Sequence, residues 1–174
     1  MISRLLFATA MCAAAACAQV KTKQYTNPPG CFKTYHLDPG RVLTSRGLIE
    51  DPTVNAIMKD AVAAQMNKLK ITEATKNNAQ LAVHFMGGNS AGLQVDDLTV
   101  GDVAMWNVGG PMAVSSRTYK KSSLVIAVVD NKSNQTVWAA RCMDKFGDPN
   151  QLRERIEKAV AKAFEKFPKK LSCE

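Results

Sequence analysis

Leu124-Val125-Ile126-Ala127-Val128-Val129 is apolar at every position, so a strand built from it carries apolar side chains on both of its faces. A strand of that kind belongs at the centre of a sheet that is covered on two sides. The next residues, Asp130-Asn131-Lys132-Ser133-Asn134-Gln135, are turn formers, and Thr136 to Met143 resumes an extended pattern containing Trp138 and Cys142. The reading is an antiparallel hairpin, Tyr119 to Asp130 paired with Thr136 to Met143.

Two helices accompany that hairpin. Asp51-Pro52 offers a side-chain cap followed by a proline at the first helical position, where no hydrogen bond is lost. Behind it Val54, Ile57, Met58, Ala61, Val62 and Leu69 recur near the helical period, so Met58 and Met66 read as core rather than as an adaptable binding surface. Asp148-Pro149 repeats the device ahead of Leu152, Ile156, Ala159, Val160, Ala163, Phe164 and Phe167, with Pro168 as the stop. On its outer face Glu154–Lys158 and Arg153–Glu157 stand four apart, close enough to pair.

Phe32 to Leu37 and Gln80 to Met86 read as strands, and Asp38-Pro39-Gly40 as a turn after the first. Lys21 to Gly30 shows no hydrophobic period, so residues 19–30 read as a flexible lead and 31–174 as one domain. The segment Gly87 to Arg117 is a long glycine-rich connection, of a length that is usually functional or mobile; its Trp106 either plugs the edge of the core, the favoured reading, or with Met112 is a candidate partner contact. The order β-α-β-loop-β-β-α predicts an α+β fold: a small mixed sheet of about four strands, its first two parallel, with two helices on one face.

Residues 1–18 have the form of a secretory signal: Arg4, an apolar run of about a dozen residues to Ala16, then Ala16-Cys17-Ala18. That run is shorter than the roughly 20 residues a spanning helix needs, and no later segment approaches this length. Cleavage after Ala18 would leave a periplasmic or secreted chain of 156 residues. Cleavage before Cys17 would make that cysteine a lipid attachment point and anchor the protein to the outer membrane. The formal charge of +8 reads first as a solvated basic face and otherwise as an attraction to an anionic membrane surface or polysaccharide, while the absence of a reader motif argues against nucleic acid.

Cys31, Cys142 and Cys173 remain after processing, and in an oxidising compartment one pair is expected to oxidise. The β-α-β-loop-β-β-α order returns the end of the last helix to the first strand, which favours Cys31–Cys173 with Cys142 buried; Cys142–Cys173 is the alternative. No catalytic, cofactor or metal residues are assigned. There is no Cys-x-x-Cys and no Gly-x-Ser-x-Gly, and Gly87-Gly88-Asn89-Ser90-Ala91-Gly92 lacks the Lys-Ser/Thr of a phosphate loop. His36 and His84 are the two histidines, with no partner evident at relay spacing for His84.

Thr34-Tyr35-His36-Leu37, the capped helix from Asp51, Ala79 to Phe85, Tyr119 with Ser123 to Asp130, Thr136-Val137-Trp138 and Phe167-Pro168 together resemble the bacterial envelope family called domain of unknown function 4136, a family of lipoprotein type. The resemblance implies an α+β envelope domain and supplies no catalytic residues. The functional expectation is an exported, non-catalytic module contacting another envelope protein, peptidoglycan or an anionic membrane surface through a sheet edge or the 87–117 loop. The alternatives are a hydrolase-like periplasmic enzyme using His36 or His84, and a carrier of a small apolar ligand.

Overall fold

A computed structural model describes residues 19–88 and 122–173, apart from 27, 29, 45–46, 145 and 147–148. Eight strands of these residues form one mixed sheet: β1 (Gln19–Gln24), β2 (Thr34–Leu37), β3 (Arg41–Thr44), β4 (Gly47–Ile49), the two-residue β5 (Thr72–Glu73), β6 (Leu81–Gly88), β7 (Ser122–Asp130) and β8 (Gln135–Asp144). The helices are α1 (Pro52–Lys68) and α2 (Leu152–Phe164), followed by a 3-10 turn at Lys169–Leu171. The α+β class holds, but the sheet has more strands than the four expected.

The wide part of the sheet runs β1-β8-β7-β6-β2-β5. The apolar strand β7 lies inside it, antiparallel to β6 on one side and to β8 on the other, and Leu124 to Val129 are buried on both faces. The hairpin turn places Asn134 at φ 53°, a left-handed conformation that Asn tolerates because its short amide can bond the local backbone. As expected from the first β-α-β unit, β2 and β6 are parallel, with Tyr35 beside Leu81 and Leu37 beside Val83.

Both helices cover the same face. Val54, Ile57, Met58, Val62 and Met66 of α1 and Ile156, Val160 and Phe164 of α2 share one core with Leu81, Val83, Phe85, Leu124, Ile126, Val128 and Trp138. The two methionines are fully buried, so they pack rather than present a surface. Trp138 meets Phe164 and Phe167 with ring centroids 5.3 and 5.2 Å apart, tilted and edge-on, the arrangement aromatic quadrupoles favour. The expected surface pairs form, Lys158 to Glu154 at 2.6 Å and Arg153 to Glu157 at 3.3 Å, and Arg153 also reaches Asp60 of α1.

Four expectations are corrected. Residues 19–24 of the anticipated flexible lead are instead a strand, antiparallel to β8 from Gln19 beside Met143 to Gln24 beside Trp138. An edge strand needs only its backbone hydrogen bonds and one half-covered face, so Val20-Lys21-Thr22-Lys23 can pair without a hydrophobic period. Asp38-Pro39-Gly40 does not reverse the chain: β3 continues parallel to β6 with Arg41 beside Met86, so β2 and β3 are two lengths of one interrupted strand beside β6, with β5 and β4 respectively on their far sides. Within the interruption Asp38 N–H still donates to Val83, and Gly40 lies so close to Phe85 that a Cβ would stand 2.3 Å from its ring.

Gly87 and Gly88, assigned to the start of the long connection, are the last residues of β6, beside Leu124 and Ser123. Finally, α2 opens at Leu152 rather than at Pro149. Arg155, one turn in, is held by Gln151 Oε1 at 3.0 Å and Asp144 Oδ1 at 2.9 Å, which ties the helix start to β8.

Candidate functional site

Three features of the described residues gather chemistry: a buried histidine–carboxylate cluster, two concavities, and the outer edge of β1. The cluster forms because strand parity puts His36 of β2 and Asp38 two residues on one side of the sheet, while β6, pairing with β2, brings His84 to the same side. Asp38 Oδ1 lies 3.2 Å from His36 Nε2 and 3.1 Å from Lys76 Nζ, and Asp38 Oδ2 lies 3.3 Å from His84 Nδ1. Both imidazoles are buried, and among the described residues His36 Nδ1, His36 Nε2 and His84 Nε2 find no aligned hydrogen-bond partner.

Burial pushes the His84 pKa down, with the positive charges of His36 and Lys76 adding to that and Asp38 opposing it. Burial alone would raise the Asp38 carboxyl, but the Lys76 hydrogen bond and the neighbouring His84, His36 and Lys76 charges outweigh it and hold the group below the usual carboxylate value. The result is a carboxylate held between two imidazoles, a pairing that can orient a base or simply satisfy a buried charge. Among the described residues no set of three or more His, Cys, Asp or Glu side chains converges as a metal site.

Neither of two concavities in the described structure opens on this cluster. One, of about 450 Å³, lies at the end of the sheet between Cys31, Phe32, Gln80, Asp130 and Lys132. The other, of about 100 Å³, lies between the helices and the sheet, lined by Val54, Gly87, Leu124, Phe146 and Ile156. A carried apolar ligand would lie in such a place between helices and sheet, yet the volume of this concavity falls well short of the roughly 300 Å³ at which small-molecule sites begin.

The first concavity borders Cys31, whose Cα lies 4.9 Å from that of Cys173, inside the range a disulfide spans. The closing segment brings them together: Phe32 N–H donates to Leu171 O at 2.8 Å, and Cys173 N–H donates back to Phe32 O. Cys142 is buried, its thiol bonded to Ala159 O at 3.5 Å, and burial raises its pKa to about 12 against the opposing pull of Lys162 and Lys166. Cys17, Trp106 and Met112, and all of the 87–117 connection beyond Gly88, lie outside the described residues.

The third feature is main chain. Tyr25 N–H donates to Val137 O of β8, so by the alternation of an antiparallel ladder Lys21 and Lys23 also turn their amides toward β8. Val20, Thr22 and Gln24 then turn theirs away from the sheet, and Lys166 Nζ reaches round from the end of α2 to donate to Val20 O at 3.1 Å. No strand of the described residues lies on that side of β1. Sequence reading missed two of these features for the same reason: β1 shows no hydrophobic period, and Asp38 sits in an Asp-Pro-Gly that reads as a turn. The i, i+2 spacing of His36 and Asp38 was the available signal.

Among solved structures, the chain is similar to a protein of the DUF4136 family, BT2437 from Bacteroides thetaiotaomicron, with a TM-score of 0.60 and 16% identity over 87% of this chain and 96% of that one. It is similar also to PelC from Paraburkholderia phytofirmans, crystallised as a dodecamer, with a TM-score of 0.50 and 10% identity over 90% of this chain and 100% of that one. No curated protein matches it. At these identities the likeness is one of fold. The family model for the domain of unknown function DUF4136 matches residues 21–169, from the edge strand to the final turn, and the chain therefore belongs to the DUF4136 family.

Proposed function

We propose that this protein is an exported, non-catalytic module of the cell envelope that holds another envelope component along the outer edge of β1. The observation that carries the reading is the outward N–H of Val20 and the outward N–H and C=O of Thr22, a template for an added strand. The leader supports export to the periplasm, either free or anchored through Cys17, and its removal would leave β1 as the beginning of the mature chain. The Cys31/Cys173 pair suits an oxidising compartment. Among the described residues no helix is long and apolar enough to cross a membrane. PelC, which shares the fold, assembles as a dodecamer, and this supports a fold that works through protein contacts.

Thr22→Pro tests the reading selectively. Proline removes an N–H that points away from β8, so the sheet keeps its ladder while the edge loses a donor. Mature wild-type protein cross-linked in its native host is expected to capture a discrete envelope component, and Thr22→Pro to lose it with unchanged thermal stability. Capture that survives Thr22→Pro would refute the edge reading. Intact mass of the mature protein distinguishes cleavage after Ala18 from a lipidated Cys17.

One observation favours the enzymatic alternative: both histidines meet a carboxylate. That reading requires substrate to reach His36 or His84. It predicts turnover of an ester or amide that Asp38→Asn and His84→Gln each reduce by at least about 100-fold, as expected for loss of a general base.

A further inference from the structure

We infer that the segment received by β1 is acidic: an extended stretch of a partner protein carrying Asp or Glu at alternate positions. The inference rests on the edge reading above and adds the partner's chemistry. Parity places Gln19, Lys21 and Lys23 on the face of β1 away from the helices, in register with Met143, Arg141 and Ala139 of β8. Lys21 and Lys23 are exposed on that strip, and Gln19, Met143, Arg141 and Ala139 beside them include no acid. Lys23 is further fixed by standing 4.7 Å above the Tyr25 ring. On the edge itself the ammonium of Lys166 already occupies Val20 O, so the approaching strand meets positive charge there too.

A strand added beside β1 sets its own alternate side chains about 5 Å from Lys21 and Lys23, where opposite charges attract and like charges repel. A second copy of β1 would bring lysines against lysines, and is therefore disfavoured as the occupant. Edge lysines also deter indiscriminate pairing between like strands, and an acidic complement is the partner that converts that barrier into selectivity.

The test uses the mature protein and two fluorescein-labelled peptides of equal length, one alternating Thr and Glu, the other Thr and Lys, read by anisotropy at low and physiological salt. The acidic peptide is expected to bind about tenfold more tightly than the basic one, with the difference shrinking as salt rises. Lys21→Glu/Lys23→Glu is expected to reverse the preference, Thr22→Pro to abolish binding of either peptide, and hydrogen exchange at the Thr22 amide to slow when the acidic peptide is present. Equal affinities, no binding, or no reversal in the double variant would overturn the inference. So would attachment to phosphatidylglycerol vesicles that survives Thr22→Pro in place of peptide binding, which would make the basic strip a membrane contact. If Thr22→Pro loses the native partner but the peptides are not discriminated, the edge reading stands and the acidic partner falls. If the native partner is kept, the edge reading itself falls.

Discussion

Asp38 stands between the two histidines of the chain, within 3.2 Å of His36 Nε2 and 3.3 Å of His84 Nδ1, while Lys76 Nζ donates to it from the solvent side. The stability consequence follows from the two shifts. His84 has a folded pKa below its ordinary value of 6.5, so the unfolded chain takes up a proton first on acidification, and stability falls as pH drops from about 6.5 toward the folded value. Asp38, lowered from 3.8, adds stability above that value and loses it as pH falls further. Unfolding in urea at pH 7 and pH 5 is expected to show a loss bounded by about 1.4 kcal/mol per pH unit for one proton, and His84→Gln is expected to flatten it. The shared face of His36 and Asp38 was readable from their spacing. That His84 joins them was not, because it depends on which strand pairs with β2 and in which register.

At the scale of elements, α1 begins where its local chemistry says it should: Asp51 Oδ1 accepts from Thr53 N–H at 2.9 Å and from Val54 N–H at 3.1 Å, with Pro52 at the first helical position. Asp51→Ala is expected to lower unfolding free energy by about 1 kcal/mol, measured by chemical denaturation, since it strands two helix-end amides. The end of α1 is less orthodox, with Lys70 rather than glycine at φ 57°. The helices and the hairpin were legible because each carries its own signal, a cap, a 3.6 period or a turn. Strands β1, β3, β4 and β5 were not, because a short strand is defined by the neighbours it borrows hydrogen bonds from. The same contrast explains β2 and β3, where a turn-like Asp-Pro-Gly merely interrupts a strand that β6 holds in line.

For the whole molecule, the closing contact is the one between the last turn and the first core strand. Phe32 pairs with Ser172, and the adjacent Cys31 and Cys173 stand 142 residues apart in sequence. With that pair oxidised, Cys31→Ser/Cys173→Ser is expected to cost about 2–5 kcal/mol of unfolding free energy and to lower Tm by several degrees, while reductant does the same to wild type and nothing to the variant. Cys142, buried and with its thiol pKa raised to about 12, is expected to resist alkylation in the folded oxidised protein and to react once denaturant is added.

Sequence alone determined the α+β class, both helices, the central hairpin and the parallel first pair of strands, because apolar period, capping residues and turn formers act over a few neighbouring positions. Only the tertiary structure decided that the leading residues are a strand, that one carboxylate serves both imidazoles, and that β1 is left facing outward. Each of these is a relation between segments distant in the chain, set by register and by which backbone groups the sheet has already satisfied.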